Sequence, residues 1–187
     1  MSKFFYLLTY MLIISGLNGG EREMKIYKFS NRSSLVNWSV VDDGVMGGYS
    51  KGKLKVNTKG NGVFSGEISL YNYGGFSSLR YYSKKIKISP NDTLVLRVNG
   101  DNKFYQIRIK HSQRDRHVYV KKVFISDGWK NIEIPISEFS PSFRGRSLRM
   151  GNFNHDSLTE IGILIGNKIE ENFTLIIDSI SLKSNDI

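Results

Sequence analysis

The chain has 187 residues, with 27 Lys and Arg against 17 Asp and Glu, a formal charge of +10 and no cysteine. That length gives one domain with room for a true core, and the missing thiols exclude disulfides, thiolate zinc sites and cysteine nucleophiles. An apolar content of 40%, with 11 Phe and 10 Tyr, fits a folded, aromatic-rich β protein.

In chain order, Lys3 precedes an apolar run over 4–14 and then small residues to Gly20. This reads as a secretory signal peptide, and it is short for a membrane span, which needs about 20 residues. Two alternatives stand beside it: a start at Met24, or a retained anchor. The domain is therefore expected over 24–187, after a leader or extension over 1–23. It is exported or periplasmic in the first case, and cytoplasmic or membrane-peripheral if Met24 is the start. Residues 30–38 offer a short helical turn. From there a period of two dominates: Leu54 and Val56 alternate with lysines, and Tyr105, Ile107 and Ile109 alternate with Gln106, Arg108 and Lys110. Further strands are expected at 63–70, 79–88, 94–98, 118–125, 129–136, 160–165 and 173–182, roughly nine in all. A second helical turn is expected at 156–160. Trp38 and Trp129 read as core rings, and Gly100-Asp101-Asn102-Lys103 as a hairpin turn. Many short strands of this spacing predict an all-β sandwich or barrel.

Candidate chemistry is sparse. Asp42-Asp43 resembles an acid pair, yet neighbours on an extended chain point to opposite faces, and Asp43-Gly44 also suits a turn. No Asp-x-Asp-x-Asp spacing supports calcium, and no metal site is expected. His111, His117 and His155 are scattered in sequence and receive no role. No nucleophile elbow, phosphate loop or dinucleotide fingerprint is present, so no catalytic residue and no cofactor is expected. Loops around Met46-Gly47-Gly48 and Asn72-Tyr73-Gly74-Gly75 are expected to meet at one end of the sandwich. There Met46 and Tyr73 would be apolar contacts and Arg80 an anion clamp. Asp101, Tyr105 and Arg144 complete the candidate binding set, in which Asp42, Asp43 and Asn72 shape loops or touch the partner. A sugar-binding alternative would use Tyr81, Tyr82, Tyr105 or Tyr119 as a stacking ring. Basic clusters at 84–87, 110–122 and 144–149 favour anionic partners, membrane surfaces included, or simply keep the surface solvated. No nucleic-acid motif accompanies them, and no nucleic-acid partner is expected.

Two glycine-punctuated blocks, Asp43-Gly44-Val45-Met46-Gly47-Gly48 and Gly74-Gly75-Phe76-Ser77-Ser78-Leu79-Arg80, lie about thirty residues apart. Later segments follow in order: Gly100-Asp101 with Tyr105, Trp129, Ile134-Pro135-Ile136-Ser137-Glu138-Phe139, Phe143-Arg144-Gly145-Arg146, Ile161-Gly162-Ile163 and a strand with Phe173, Leu175 and Asp178. From about residue 29 to 183 the chain thereby resembles the complex I intermediate-associated protein 30 family. The resemblance implies a galactose-binding-like jelly-roll sandwich. It also implies a non-catalytic assembly role, holding a protein partner such as respiratory complex I subunits or assembly intermediates near a membrane. The same architecture implies a second reading, a carbohydrate-binding module with a glycan partner outside the cytoplasm.

Overall fold

The computed structural model describes residues 22–184 and places them in two antiparallel sheets packed face to face. Of the leader or extension expected over 1–23, residues 1–21 lie outside the described residues, and Arg22 and Glu23 open β1. Thirteen strands run β1 (Arg22–Lys28), β2 (Trp38–Asp42), β3 (Lys51–Val56), β4 (Gly62–Ile68), β5 (Ser77–Lys87), β6 (Thr93–Asn99), β7 (Lys103–Lys110), β8 (Val118–Ile125), β9 (Trp129–Pro135), β10 (Ser140–Phe143), β11 (Arg146–Ser147), β12 (Ser157–Ile165) and β13 (Glu171–Ser184). The six-stranded sheet has the order β3-β4-β13-β6-β9, and β1 pairs with the second half of β13. The seven-stranded sheet has the order β11-β10-β8-β7-β12-β5-β2. The all-β jelly-roll expectation holds.

Alternation along each strand builds the core. Tyr105, Ile107 and Ile109 of β7 are fully buried, as are Leu94, Leu96 and Val98 of β6 from the opposing sheet. Phe64, with no exposed surface, meets Phe173 edge to face at 4.8 Å between ring centroids. Burial of one such ring stabilises by about 2–3 kcal/mol. Tyr27, Phe29, Trp38 and Tyr81 form a second aromatic knot, with Trp38 and Tyr81 rings 4.9 Å apart.

Several local expectations fail, each for a tertiary reason. The strands at 22–28, 38–42, 140–143 and 146–147 are short or half-exposed, so their alternation is faint. Of residues 30–38, those up to 37 form turns and irregular chain rather than helix and Trp38 opens β2, and 157–165 is strand from its first residue, paired with β5 and β7. The 100–103 segment is no hairpin. It carries the chain from β6 in one sheet to β7 in the other, with Asn102 at φ 62. Trp129 is 40% exposed on an edge strand, with the Arg97 guanidinium 5.6 Å from its ring, and is not a core ring.

Candidate functional site

Asp43 organises one end of the sandwich. It opens a 3-10 turn over Asp43–Met46, directly after β2, and its side chain is fully buried. Its carboxylate accepts the Ser50 N–H at 3.0 Å and the Ser50 hydroxyl on one side. On the other it accepts the Gly75 N–H at 2.6 Å and the Phe76 N–H at 3.2 Å. One side chain thus ties the first glycine block to the second, across thirty residues of sequence. Burial pushes its carboxyl up, but the donors from Ser50, Gly75 and Phe76 outweigh that and hold it below the ordinary Asp value. A Cβ at Gly74 would stand 2.7 Å from Asp43 Oδ2 and from the Ser69 carbonyl, so only glycine lets this loop close over the carboxylate. Asp42 faces another way and accepts the Gly52 N–H at 3.0 Å.

Asn72 completes the bridge, donating from Nδ2 to the Gly47 carbonyl at 2.7 Å. Asn72 and Tyr73 both sit in left-handed backbone, at φ 55 and φ 60. Such conformations cost about 1–3 kcal/mol each in non-glycine residues and persist where the surroundings enforce them. Here the bend turns Tyr73 outward, leaving it 96% exposed. Met46, Val45, Leu70 and Tyr71 are exposed beside it, and Tyr49 meets Tyr71 at 5.2 Å between centroids. A polar hub below and an apolar rim above form one edge. Length and composition hint at neither the hub nor its partners, although Asp43, Met46, Asn72 and Tyr73 stand in the two blocks.

The remaining candidates scatter. Asp101 lies at the same end, where its carboxylate accepts the Tyr105 hydroxyl at 2.9 Å and the Thr174 N–H at 2.8 Å. Tyr105 itself is fully buried, its hydroxyl pushed up by burial and by Asp101, and it presents nothing to a partner. Tyr81 and Tyr119 also point into the core, so of the four tyrosines proposed as sugar platforms only Tyr82 reaches the outer face. Arg144 occupies the tight β10–β11 turn at φ 49, at the opposite end and opposite edge of its sheet. It is not part of the Asp43 edge. Arg80 stands on the outer face of the seven-stranded sheet, in register with Ser39 and Gly162.

His111 and His117, from the β7–β8 connection, and His155, from the connection before β12, converge at that far end. His111 and His155 stack at 4.3 Å, and the Tyr119 hydroxyl lies 3.3 Å from His155 Nε2. Burial, then the neighbouring His111, holds the His155 imidazole below its ordinary 6.5, against the pull of Asp115 and Asp156. The unfolded chain therefore takes up this proton at a higher pH than the folded one, and stability falls as pH drops below about 6.5. His155→Gln is expected to flatten the fall in stability below about pH 6.5. Urea midpoints across that range check it, and parallel curves for the two proteins would refute it. Among the described residues, no group of three or more His, Asp or Glu could hold a metal ion.

The fold defines a class, the galactose-binding-like jelly-roll β-sandwich, an architecture shared with carbohydrate-binding modules. The family 11 module of the cellulase Lic26A-Cel5E from Clostridium thermocellum superposes with TM-score 0.66 over 87% of this chain and 95% of its own, at 16% identity. The family 11 module from the same organism in complex with a β-1,3-1,4-mixed-linked tetrasaccharide gives 0.63 over 86% and 94%, at 17% identity. At such identities the likeness is one of fold. Residues 27–177 match the family described as complex I intermediate-associated protein 30, and the chain belongs to that family. A relative from Caenorhabditis briggsae, described as "Probable complex I intermediate-associated protein 30, mitochondrial", is 27% identical over 180 residues. That match takes in 83% of this chain but 53% of the relative, so the chain spans about half the relative's length.

Proposed function

We propose that this chain is a non-catalytic holding module for a protein partner, related to respiratory complex I assembly, and that it works beside an anionic membrane surface. The observation that carries the reading is the apolar edge at Met46, Tyr49, Tyr71 and Tyr73, raised on a frame held by one buried carboxylate. Aromatic and Met anchors on a rigid support, with little to lose on ordering, are what protein interfaces use for their central contacts. Of the three carboxylates of the acid-base alternative, Asp43 and Asp101 accept from the chain's own N–H and O–H groups, while Asp42 accepts the Gly52 N–H on Oδ2 and keeps a buried, unbonded Oδ1. Family membership supports the assembly context. Membrane proximity rests on the charge of +10, each Lys or Arg near an anionic surface contributing about 1 kcal/mol. Among the described residues no helix is long and apolar enough to cross a membrane.

Affinity purification of the tagged chain from gently solubilised host membranes tests the reading. Recovery of respiratory complex subunits is expected, at least tenfold above a charge-matched basic control. A Met46→Ser, Tyr73→Ser variant is expected to lose that excess, since one interface tyrosine contributes about 2 kcal/mol, roughly thirtyfold in affinity. Equal recovery by the variant would remove the edge from the site. Recovery of nothing specific, together with saturable binding to a polysaccharide panel lost on replacing Tyr73, would establish the glycan reading instead.

A further inference from the structure

We infer that the outer face of the seven-stranded sheet is a groove for an extended acidic polypeptide segment, whose carboxylates seat between Arg80 and Arg108. One row of paired residues crosses this sheet in the order Ser39, Arg80, Gly162, Arg108, Val120, Ser140. The two arginines flank Gly162, with two strand spacings, about 10 Å, between their backbones. Gly162 lacks a side chain where its neighbours have long ones, so it floors a trough walled by guanidinium groups. The next row towards the Asp43 end runs Val41, Ser78, Leu164, Gln106, Lys122, and Phe104 pairs with Phe124 beyond it. On the other side lie Tyr82, Glu160 and Lys110.

Charge selects the occupant. On these rows Arg80, Arg108, Lys110 and Lys122 stand with one carboxylate, Glu160, which Arg80 Nε approaches only to 4.0 Å. Arg108 gives its Nε and Nη2 protons to Gln106 Oε1, at 3.2 and 2.8 Å, a neutral partner. Burial, then the adjacent Arg80 charge, draws the Arg108 guanidinium down to about 10, so it stays charged at neutral pH and gains from an added anion. Guanidinium forks match planar carboxylates in bidentate fashion.

Sugar stacking fits this face less well. Lys122 Nζ lies over the Phe104 ring at 4.6 Å, and Phe104 and Phe124, each about half exposed, meet edge to face, so the ring surface they offer is bent and shared with a cation. The polypeptide occupant rests on the reading of the chain as a holder of protein partners. The groove's preference for carboxylates does not.

Fluorescence anisotropy of a labelled peptide of alternating Glu and Gly, titrated with the full chain at physiological salt, tests the groove. Saturable binding is expected, about tenfold weaker in Arg80→Gln and in Arg108→Gln. Gly162→Leu is expected to abolish binding while leaving the fold intact. The new Cβ would meet Arg108 Cβ at 3.4 Å and the Leu79 carbonyl at 3.6 Å, ordinary contacts, and the side chain would fill the trough. Lys53→Gln with Lys55→Gln, exposed on β3 of the other sheet, removes twice the charge of either arginine substitution and is expected to leave affinity unchanged. No saturable binding, full binding by Gly162→Leu, or equal loss in the Lys53/Lys55 variant would overturn the groove. Tighter binding of polygalacturonate than of the peptide would overturn the polypeptide occupant and assign an acidic glycan. Because the peptide needs no respiratory subunits, this result is independent of the affinity purification.

Discussion

Replacing Asp43 by alanine is expected to lower the stability of the folded chain by about 3 kcal/mol or more, among the largest costs for a single surface-loop substitution here. The carboxylate accepts from the Gly75 and Phe76 amides and from the amide and hydroxyl of Ser50, in a position without solvent exposure. Its removal strands those donors where water does not replace it, and leaves the two loops joined by Asn72 to Gly47, by the Ser50 hydroxyl to the Ser69 backbone and by the Tyr49–Tyr71 ring contact. Asp43→Asn keeps the shape but turns an NH2 towards backbone N–H groups, and is expected to cost about 2 kcal/mol. Urea unfolding gives the energies, and hydrogen exchange at the Gly75 and Phe76 amides localises the damage. A loss within about 1 kcal/mol of zero for the alanine variant would show that the hub is dispensable. The carboxyl is held below its ordinary value, so its contribution persists above about pH 4 and is lost as pH falls through the folded-state pKa.

Phe64→Ala is expected to cost about 3–5 kcal/mol, because a fully buried ring leaves a cavity that two rigid sheets cannot close. Phe64 is on β4, opposite Leu54 of β3 and Leu175 of β13, and its ring is braced by Phe173. Phe64→Leu keeps most of the volume and is expected to lose less than half as much. The comparison matters because the Asp43 edge is carried by the loop after β2, far from this ring in sequence. Calorimetry on both variants separates core packing from hub chemistry. Equal, small losses for the two would mean that the six-stranded sheet relaxes around the gap.

The sandwich was legible because alternation survives where strands are long and half-buried, as along Tyr105, Ile107 and Ile109. It was illegible at β2, whose five residues are all half-buried, and at β11, two residues long. The turn at 100–103 has hairpin composition, yet the strands it joins belong to different sheets, a fact carried only by long-range pairing. In the edge, the two glycine blocks were visible, and so was their expected meeting. The direction of each side chain was not. Tyr73 faces out because Asn72 and Tyr73 adopt left-handed backbone, whereas Tyr105 faces in because register with Val123 and its place in β7 put it on the core side. Arg144 stands in a glycine-arginine turn as loop-like as any other, and only topology sends it to the far end. The His111–His155 stack had no spacing to reveal it, since one ring comes from the β7–β8 connection and the other from the β11–β12 connection.

The pairing of β1 with β13 has a consequence for how the chain reaches its fold. Arg22 stands opposite Ser184 and Lys28 opposite Ser179, so the first strand waits for the last. β13 also supplies the partner edge for β4 and β6, which makes it the spine of the six-stranded sheet. Until it arrives, β3 and β4 form an isolated hairpin and the hydrophobic faces of β4 and β6 have no cover. Loop closure over such sequence separations is slow, and folding is expected on the millisecond-to-second scale typical of high-contact-order β proteins. During synthesis the sandwich can be completed only when β13 has emerged, so until then the nascent domain carries unpaired strand edges.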